Sequence, residues 1–406
     1  MLRWWLLFLP YLLRVGSHGL AEGEEENYRR QIHVQFNSTY NGTTVNLLHI
    51  RAVGQKDTIH YVWSTLGAPT MLLVHTNSAE STLQLDWTKL VSSSPFQGIR
   101  IEPLSSVQHS MAVMFTRVFE YYDVNNTADF SHTAASNFYP AYKLADFVWE
   151  RGDSTFNATT RTAVFRGSSA SDTRLFQNGS ISFRVTAFDS MGREETPPSL
   201  LHTANCSKLE FRLDGVVPRG NFSRFGIELV TLEKKGGHKR MESVRTIDDE
   251  YTPTIFEMAR MVSNAQNESR AQSFMQWKMV AYGSPVARRD EALPCQYYDL
   301  QEWNRTKTLP SVVAQAFFGE NLMENCTIQA LNLSFGIADG DFYNKNHFLS
   351  WSSLVGMGTP PVETFSILVI CIMAVALGTP VVLLLVGGLI IFIWKKKRYS
   401  DYEPIN

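Results

Sequence analysis

Catalytic spelling is missing from this chain of 406 residues. It contains no HExxH, no GxSxG elbow, no P-loop, no CxxC and no histidines clustered at ligand spacing. Zincin, serine-hydrolase, NTPase and dithiol chemistry therefore each lack their residue set. Charge is sparse too: 19% of residues are Asp, Glu, Lys or Arg, where about 25% is usual. A net charge of −2 gives no footing for nucleic acid. Cysteine is scarce, with Cys206, Cys295 and Cys326 upstream and Cys371 inside an apolar C-terminal run. No repeat or low-complexity tract interrupts the chain, and 44% hydrophobic residues are ample for packed cores.

That apolar run, residues 365–394, carries no charge, and Lys395, Lys396, Lys397 and Arg398 follow it at once. About 20 apolar residues cross a ~30 Å hydrocarbon core. The run is therefore predicted to be a transmembrane helix, with the four cations as its stop-transfer flank. A buried core helix is the plain alternative, but such helices rarely lack a charged face over this length. At the other end, Arg3, an apolar stretch broken by Pro10, and small Ser17, Gly19 and Ala21 spell a removable signal peptide over 1–21. Pro10 also spoils the LxxLL spelling at 9–13. With the cations cytosolic, everything between faces the lumen or exterior, as in a type I single-pass protein.

Sugar-acceptor triplets agree with that side. Asn-x-Ser/Thr begins at Asn37, Asn41, Asn125, Asn157, Asn178, Asn205, Asn221, Asn267, Asn304, Asn325 and Asn332, with none in the anchor or tail. Glycans would supply hydration that the few charged side chains do not.

Periodicity in the lumenal part is mostly two. Leu209, Phe211 and Leu213 alternate with Lys208, Glu210, Arg212 and Asp214, and Ile32-Val34-Phe36, Ile59-Tyr61-Trp63, Leu83-Leu85-Trp87, Met111-Val113-Phe115, Ile181-Phe183-Val185, Phe225-Ile227-Leu229 and Met275-Trp277-Met279 repeat the pattern. These predict strands with one wet face, and hence an all-β, sandwich-like ectodomain. If Leu331, Leu333 and Phe335 point inward, Asn332 points outward. Helix is expected only at 248–261 and 311–318. About 340 lumenal residues suggest two subdomains, 22–200 and 201–358, divided near 196–204, with a single large β-domain as the alternative, then a stiff spacer at 359–364, with Trp351 suited to an interfacial or docking position.

Several shorter features have a plain and a sharp reading. Asp248, Asp249 and Glu250 fit a solvated turn better than the paired acids of a hydrolase. Asp339 and Asp341 open like a calcium loop, but Tyr343 stands where a further oxygen ligand belongs. Arg151-Gly152-Asp153 spells an integrin ligand that turns also produce by chance. The basic run at 234–240 reads as a solvated hairpin tip, or less readily as a lipid or glycan contact. An oxidising lumen should pair two of the three upstream cysteines, and Cys295 with Cys326 is favoured because Cys206 lies far away, while Cys371 reads as a packing residue. Ala374 and Gly378 form a small-x-x-x-small pair for a second helix. In the tail, Tyr402, Glu403, Pro404 and Ile405 match the Tyr-x-x-bulky-apolar signal that clathrin adaptors take as an added strand.

The words NLLHIRAVG at 46–54, HYVWS at 60–64, LADF at 144–147, LLHTA at 200–204, IDDEY at 247–251, ALPCQ at 292–296, IMAVALG at 372–378 and the Tyr-rich ending at 399–406 are long and distributed. With Asn178 to Ser180 and Phe183 to Val185, they make the chain resemble the family of glycosylated lysosomal membrane proteins over its whole length. That resemblance implies a non-enzymatic accessory subunit, with no cofactor, that protects a lysosomal major-facilitator dipeptide transporter from proteolysis. It also implies a further lumenal cysteine near 234–240 that this chain lacks. A tethered hydrolase and a coat glycoprotein without a partner are the competing readings.

Overall fold

The structure is a computed structural model describing residues 29–235, 237–245, 257–265, 271–362 and 367–400. Two antiparallel sheets make up the body. The first runs Gln31–Tyr40, Thr43–Val53, Thr58–Ser64, Thr70–Thr76, Val107–Tyr122, Ser223–Lys234 and Cys326–Phe335 in spatial order. The second runs Phe147–Trp149, Thr162–Ser169, Ser180–Ala187, Cys206–Asp214, Phe348–Met357, Ala271–Lys278, Glu257–Ala265 and Gly237–Arg245. Ala292–Tyr297 joins them, pairing with Val280–Tyr282 of the second sheet and with Cys326–Phe335 of the first.

Alternation explains what lies between the sheets. Trp63 and Phe115 from the first sheet meet Phe165 and Phe183 from the second, with Phe115 and Phe183 centroids 4.8 Å apart and Trp63 and Phe183 at 5.3 Å. Leu331, Leu333 and Phe335 are buried in this core, and half-buried Asn332 lies on the other face opposite Glu228. The periodicity therefore set strand and face correctly.

The wet face is drier than expected. Val62, Leu72, Val74, Ala112, Met114, Val230 and Leu232 form a second core on the outer side of the first sheet. Helices Val312–Phe318 and Leu322–Asn325 and the paired strands Thr82–Leu85 and Ile99–Glu102 cover it. The strand Thr58–Ser64 is consequently buried at every residue. Outside the second sheet, Leu200 and half-buried Phe188 pack on Cys206, Phe274 and Leu354, and Glu194 pairs with Lys208. Burying a Phe or Leu contributes roughly 1.5–3 kcal/mol, so sequence adjacent to a strand closes over it.

Several expectations change. Ser180–Ala187 pairs residue for residue with Cys206–Asp214, and the chain through Pro361 is one compact unit, with Val362–Asn406 another. No boundary at 196–204 divides the body. The helix expected at 311–318 forms, its N-terminus capped by Ser311 Oγ accepting from Ala314 N at 3.1 Å. Of 248–261, residues 248–256 lie outside the described residues and Glu257–Ala265 is a strand, its neighbours on both sides overriding helix propensity. Trp87 begins a short helix instead of extending its strand. Trp351 is no interfacial residue: it is 1% exposed, edge-on to Trp277 at 5.8 Å. The spacer is partly fixed as well, since Pro360 and Pro361 are buried and Pro361 O accepts from Arg260 Nη2 and Gln276 Nε2 at 3.4 Å.

Candidate functional site: a sugar-bearing body on one membrane helix

Asn37, Asn41, Asn125, Asn157, Asn178, Asn221, Asn304 and Asn325 are exposed, Asn205 and Asn332 are half-buried, and Asn267 lies outside the described residues. Local geometry presents two of them well. Asn304 Oδ1 accepts from Thr306 N at 3.0 Å and Thr306 Oγ1 at 2.8 Å, and Asn157 Oδ1 accepts from Thr159 N at 2.9 Å. These Asx turns hold each sequon on a loop. Asn205 is held inward, its Oδ1 accepting from Arg30 Nε at 2.7 Å.

The cysteines do not pair as expected. Cys295 sits opposite Phe335, whereas Cys326 begins the same partner strand nine residues away. At ~3.3 Å per residue that is about 30 Å, against the roughly 7 Å limit between bridged Cα atoms. Cys206, Cys295 and Cys326 are buried free thiols, and burial raises Cys206 and Cys326 to about 12 and about 11. Unfolding the unreduced protein and treating it with a maleimide should add four labels by intact mass; two labels would mean that a bridge forms.

Ionic side chains inside the body are mostly closed into complete sets. Glu120 is fully buried and accepts from Tyr142 Oη at 2.7 Å, Ser223 Oγ at 2.7 Å and Arg219 N at 2.5 Å. Arg224 explains the calcium-like loop. Its guanidinium bonds Asp123 at 2.7 Å, Asn126, and the carbonyls of Ile337 at 3.0 Å and Asp341 at 3.3 Å. Arg224 thus takes up backbone carbonyls of this loop, while the Asp341 carboxylate pairs with Lys345 at 2.7 Å. Within Arg151-Gly152-Asp153 the two exposed charges pair with each other at 3.1 Å, and buried Gly152 donates to Asn46 Oδ1 at 3.0 Å, which fixes the turn to the body.

Two histidine sites escaped the sequence reading. His49 Nε2 and His60 Nδ1 lie 3.0 Å apart, and His60 Nε2 is 2.9 Å from Ser81 Oγ. Burial, and next Arg51 for His49 or His49 for His60, lowers them to about 4 and about 3. Ser81 is fully buried, so this serine–histidine chain reaches no substrate. His109 is likewise lowered by burial to about 4, with Glu233 opposing, and lies 2.9 Å from Ser273 Oγ. The basic loop beside it is not a free hairpin tip. The chain changes sheets there, and Lys239 Nζ is buried against Thr231 Oγ1 at 2.9 Å and Glu233 at 3.8 Å, leaving Lys234, Lys235 and Arg240 exposed. Among the described residues no group of three or more His, Cys, Asp or Glu is placed to hold a metal. Asp248, Asp249 and Glu250 lie outside the described residues.

The membrane helix is Ile367–Ser400, with Cys371–Lys396 long and apolar enough to span. It includes Lys395 to Arg398, while residues 1–28 and Tyr402 to Ile405 lie outside the described residues. Pro380 leaves the Ala376 carbonyl without its helical donor, and Thr379 Oγ1 bonds Val375 O at 2.6 Å. Nothing lies within 4 Å of a Cβ built on Gly378, one turn from exposed Ala374.

An all-β sandwich carrying sugar acceptors on its surface, followed by one C-terminal spanning helix, defines a single-pass membrane glycoprotein. The family described as glycosylated lysosomal membrane protein matches residues 46–398. Glycosylated lysosomal membrane protein A of Xenopus laevis is 54% identical over 404 residues, covering 99% of this chain and 98% of that one. The Bos taurus and Homo sapiens proteins of the same name are 43% and 41% identical, covering 97% and 99% of this chain and 95% and 96% of theirs. The chain belongs to the glycosylated lysosomal membrane protein family, and its place is the lysosomal membrane.

Proposed function

We propose that this chain is a non-enzymatic accessory subunit that stabilises a multi-pass lysosomal transporter of the major-facilitator class and shields it from lumenal proteases. The observation that carries the reading is the pairing of a large sugar-bearing body with a single apolar helix. One span cannot build a conduction path, so transport belongs to a partner. The uncovered Ala374 and Gly378 allow close approach of a partner helix. Sugars stand outside the contact, and the Tyr402 to Ile405 tail delivers the assembly through clathrin adaptors.

Loss of this chain should reduce its transporter's steady-state lysosomal amount several-fold, with unchanged transcript and with rescue by inhibitors of lumenal proteases. Detergent pull-down with mass spectrometry should recover that transporter in stoichiometric yield. Normal transporter abundance after deletion contradicts the reading, and recovery of no transporter favours a coat glycoprotein.

A further inference from the structure

Where the chain leaves the first sheet for the second, the structure forms a half-open cavity of about 280 Å³. His109, Ser110, Glu233, Lys234, Lys235 and Gln272 line it. The sugar acceptor Asn325 borders it, its carbonyl accepting from Lys235 N at 3.0 Å. Small-molecule sites run from roughly 300 to 1,000 Å³, so the space suits a very small ligand.

The two oxygens of Glu233 differ. Oε2 accepts from Ser263 Oγ at 2.6 Å and lies 3.8 Å from Lys239 Nζ. Oε1 has no hydrogen-bond partner, although Glu233 is only 1% exposed. Ser110 Oγ, on another residue lining the cavity, is also unpartnered. An unmade hydrogen bond at a buried polar atom costs about 1–3 kcal/mol, and more at a charged one. A donor that reaches Oε1 from the cavity recovers that cost, and a cationic donor gains most from a carboxylate.

Lys234 and Lys235 are both exposed and line the same cavity. A ligand offering only an ammonium would meet these two cations and buried Lys239 unfavourably, whereas one that also bears a carboxylate meets Lys234 and Lys235 with the opposite sign. We propose that the cavity binds a small zwitterion of the amino-acid class, its ammonium on Glu233 Oε1 and its carboxylate toward Lys234 and Lys235. Neutral His109 adds no positive charge against the ammonium. This site does not depend on the accessory role, and either can fail alone.

Isothermal titration of the full glycosylated chain in detergent tests it, with L-alanine, methylammonium and acetate as probes. L-alanine should bind saturably at millimolar concentration, methylammonium more weakly, and acetate not at all. Glu233→Gln should weaken L-alanine by roughly tenfold or more. Lys234→Ala with Lys235→Ala should erase the advantage of L-alanine over methylammonium. Gly237→Ala keeps the carboxylate but sets a methyl 2.8 Å from Oε1, and should abolish binding even if Glu233→Gln misfolds. No saturable L-alanine binding up to tens of millimolar, meaning a water-filled space only, overturns the proposal. Binding that Glu233→Gln and Gly237→Ala leave unchanged overturns it equally.

Discussion

Replacing Glu120 by alanine should lower the unfolding free energy of the body by about 3–5 kcal/mol, the usual cost of breaking a buried ion pair by removing one partner. Glu120 is fully buried and holds three separate segments: the strand end at Tyr142, the loop at Arg219 and the start of the strand Ser223–Lys234. Arg219 Nη1 approaches it at 3.4 Å while the guanidinium stacks over Tyr142 at 4.1 Å. Without the carboxylate, the phenol, the hydroxyl and the Arg219 amide all lose their acceptor, and Arg219 keeps only Asp172, at 3.1 Å, as a carboxylate partner. Glu120→Gln keeps the shape and one acceptor and should cost less. Adding Arg219→Met to Glu120→Ala should deepen the loss, since Arg219 also pairs with Asp172 at 3.1 Å and donates to Pro140 O at 2.8 Å. Denaturant titration followed by tryptophan fluorescence measures all three, and a Glu120→Ala midpoint equal to the parent's would refute the argument.

Acidification should weaken the fold through its buried histidines before any carboxylate titrates. His49 is held near 4 and His60 near 3 by burial, below the ordinary value of 6.5. The unfolded chain therefore takes up protons first as the pH drops. Stability is complete above about 6.5 and is lost progressively toward the folded values, a change of roughly 3 kcal/mol for a shift of that size. Asp57 acts lower down. Burial raises its carboxyl, but hydrogen bonds from His75 and Arg30 outweigh that and hold it far below 3.8. Its contribution is present above 3.8 and fades only beneath it. Between pH 7 and 4.5 the parent should thus lose stability more steeply than a His49→Gln, His60→Gln variant. Equal slopes for the two would show that the histidine pair is not the source.

Much of this was legible in the residues because the signals were local. A 30-residue uncharged run and period-two alternation at 181–187, 209–213 and 225–229 need no knowledge of the partner strand. The failures were all questions of who sits opposite whom. Cys295 and Cys326 are 31 positions apart in sequence, yet Cys295 pairs with Phe335, at the far end of the strand that Cys326 begins. Trp351 looks like a membrane-surface residue until Phe348–Met357 is placed between two other strands. Lys239, in a run of cations, turns inward because the chain changes sheets there and Glu233 and Thr231 await it. Arg224, from a distant strand, reaches backbone carbonyls of the 337–341 loop, a contact that no local spelling announces.

The strand Phe348–Met357, which leads toward the membrane helix, is registered with Cys206–Asp214 over nine residue pairs and flanked on its other side by Ala271–Lys278. The last strand of the body before the tether is therefore held by hydrogen bonds along both of its edges, and freeing it means breaking two ladders together.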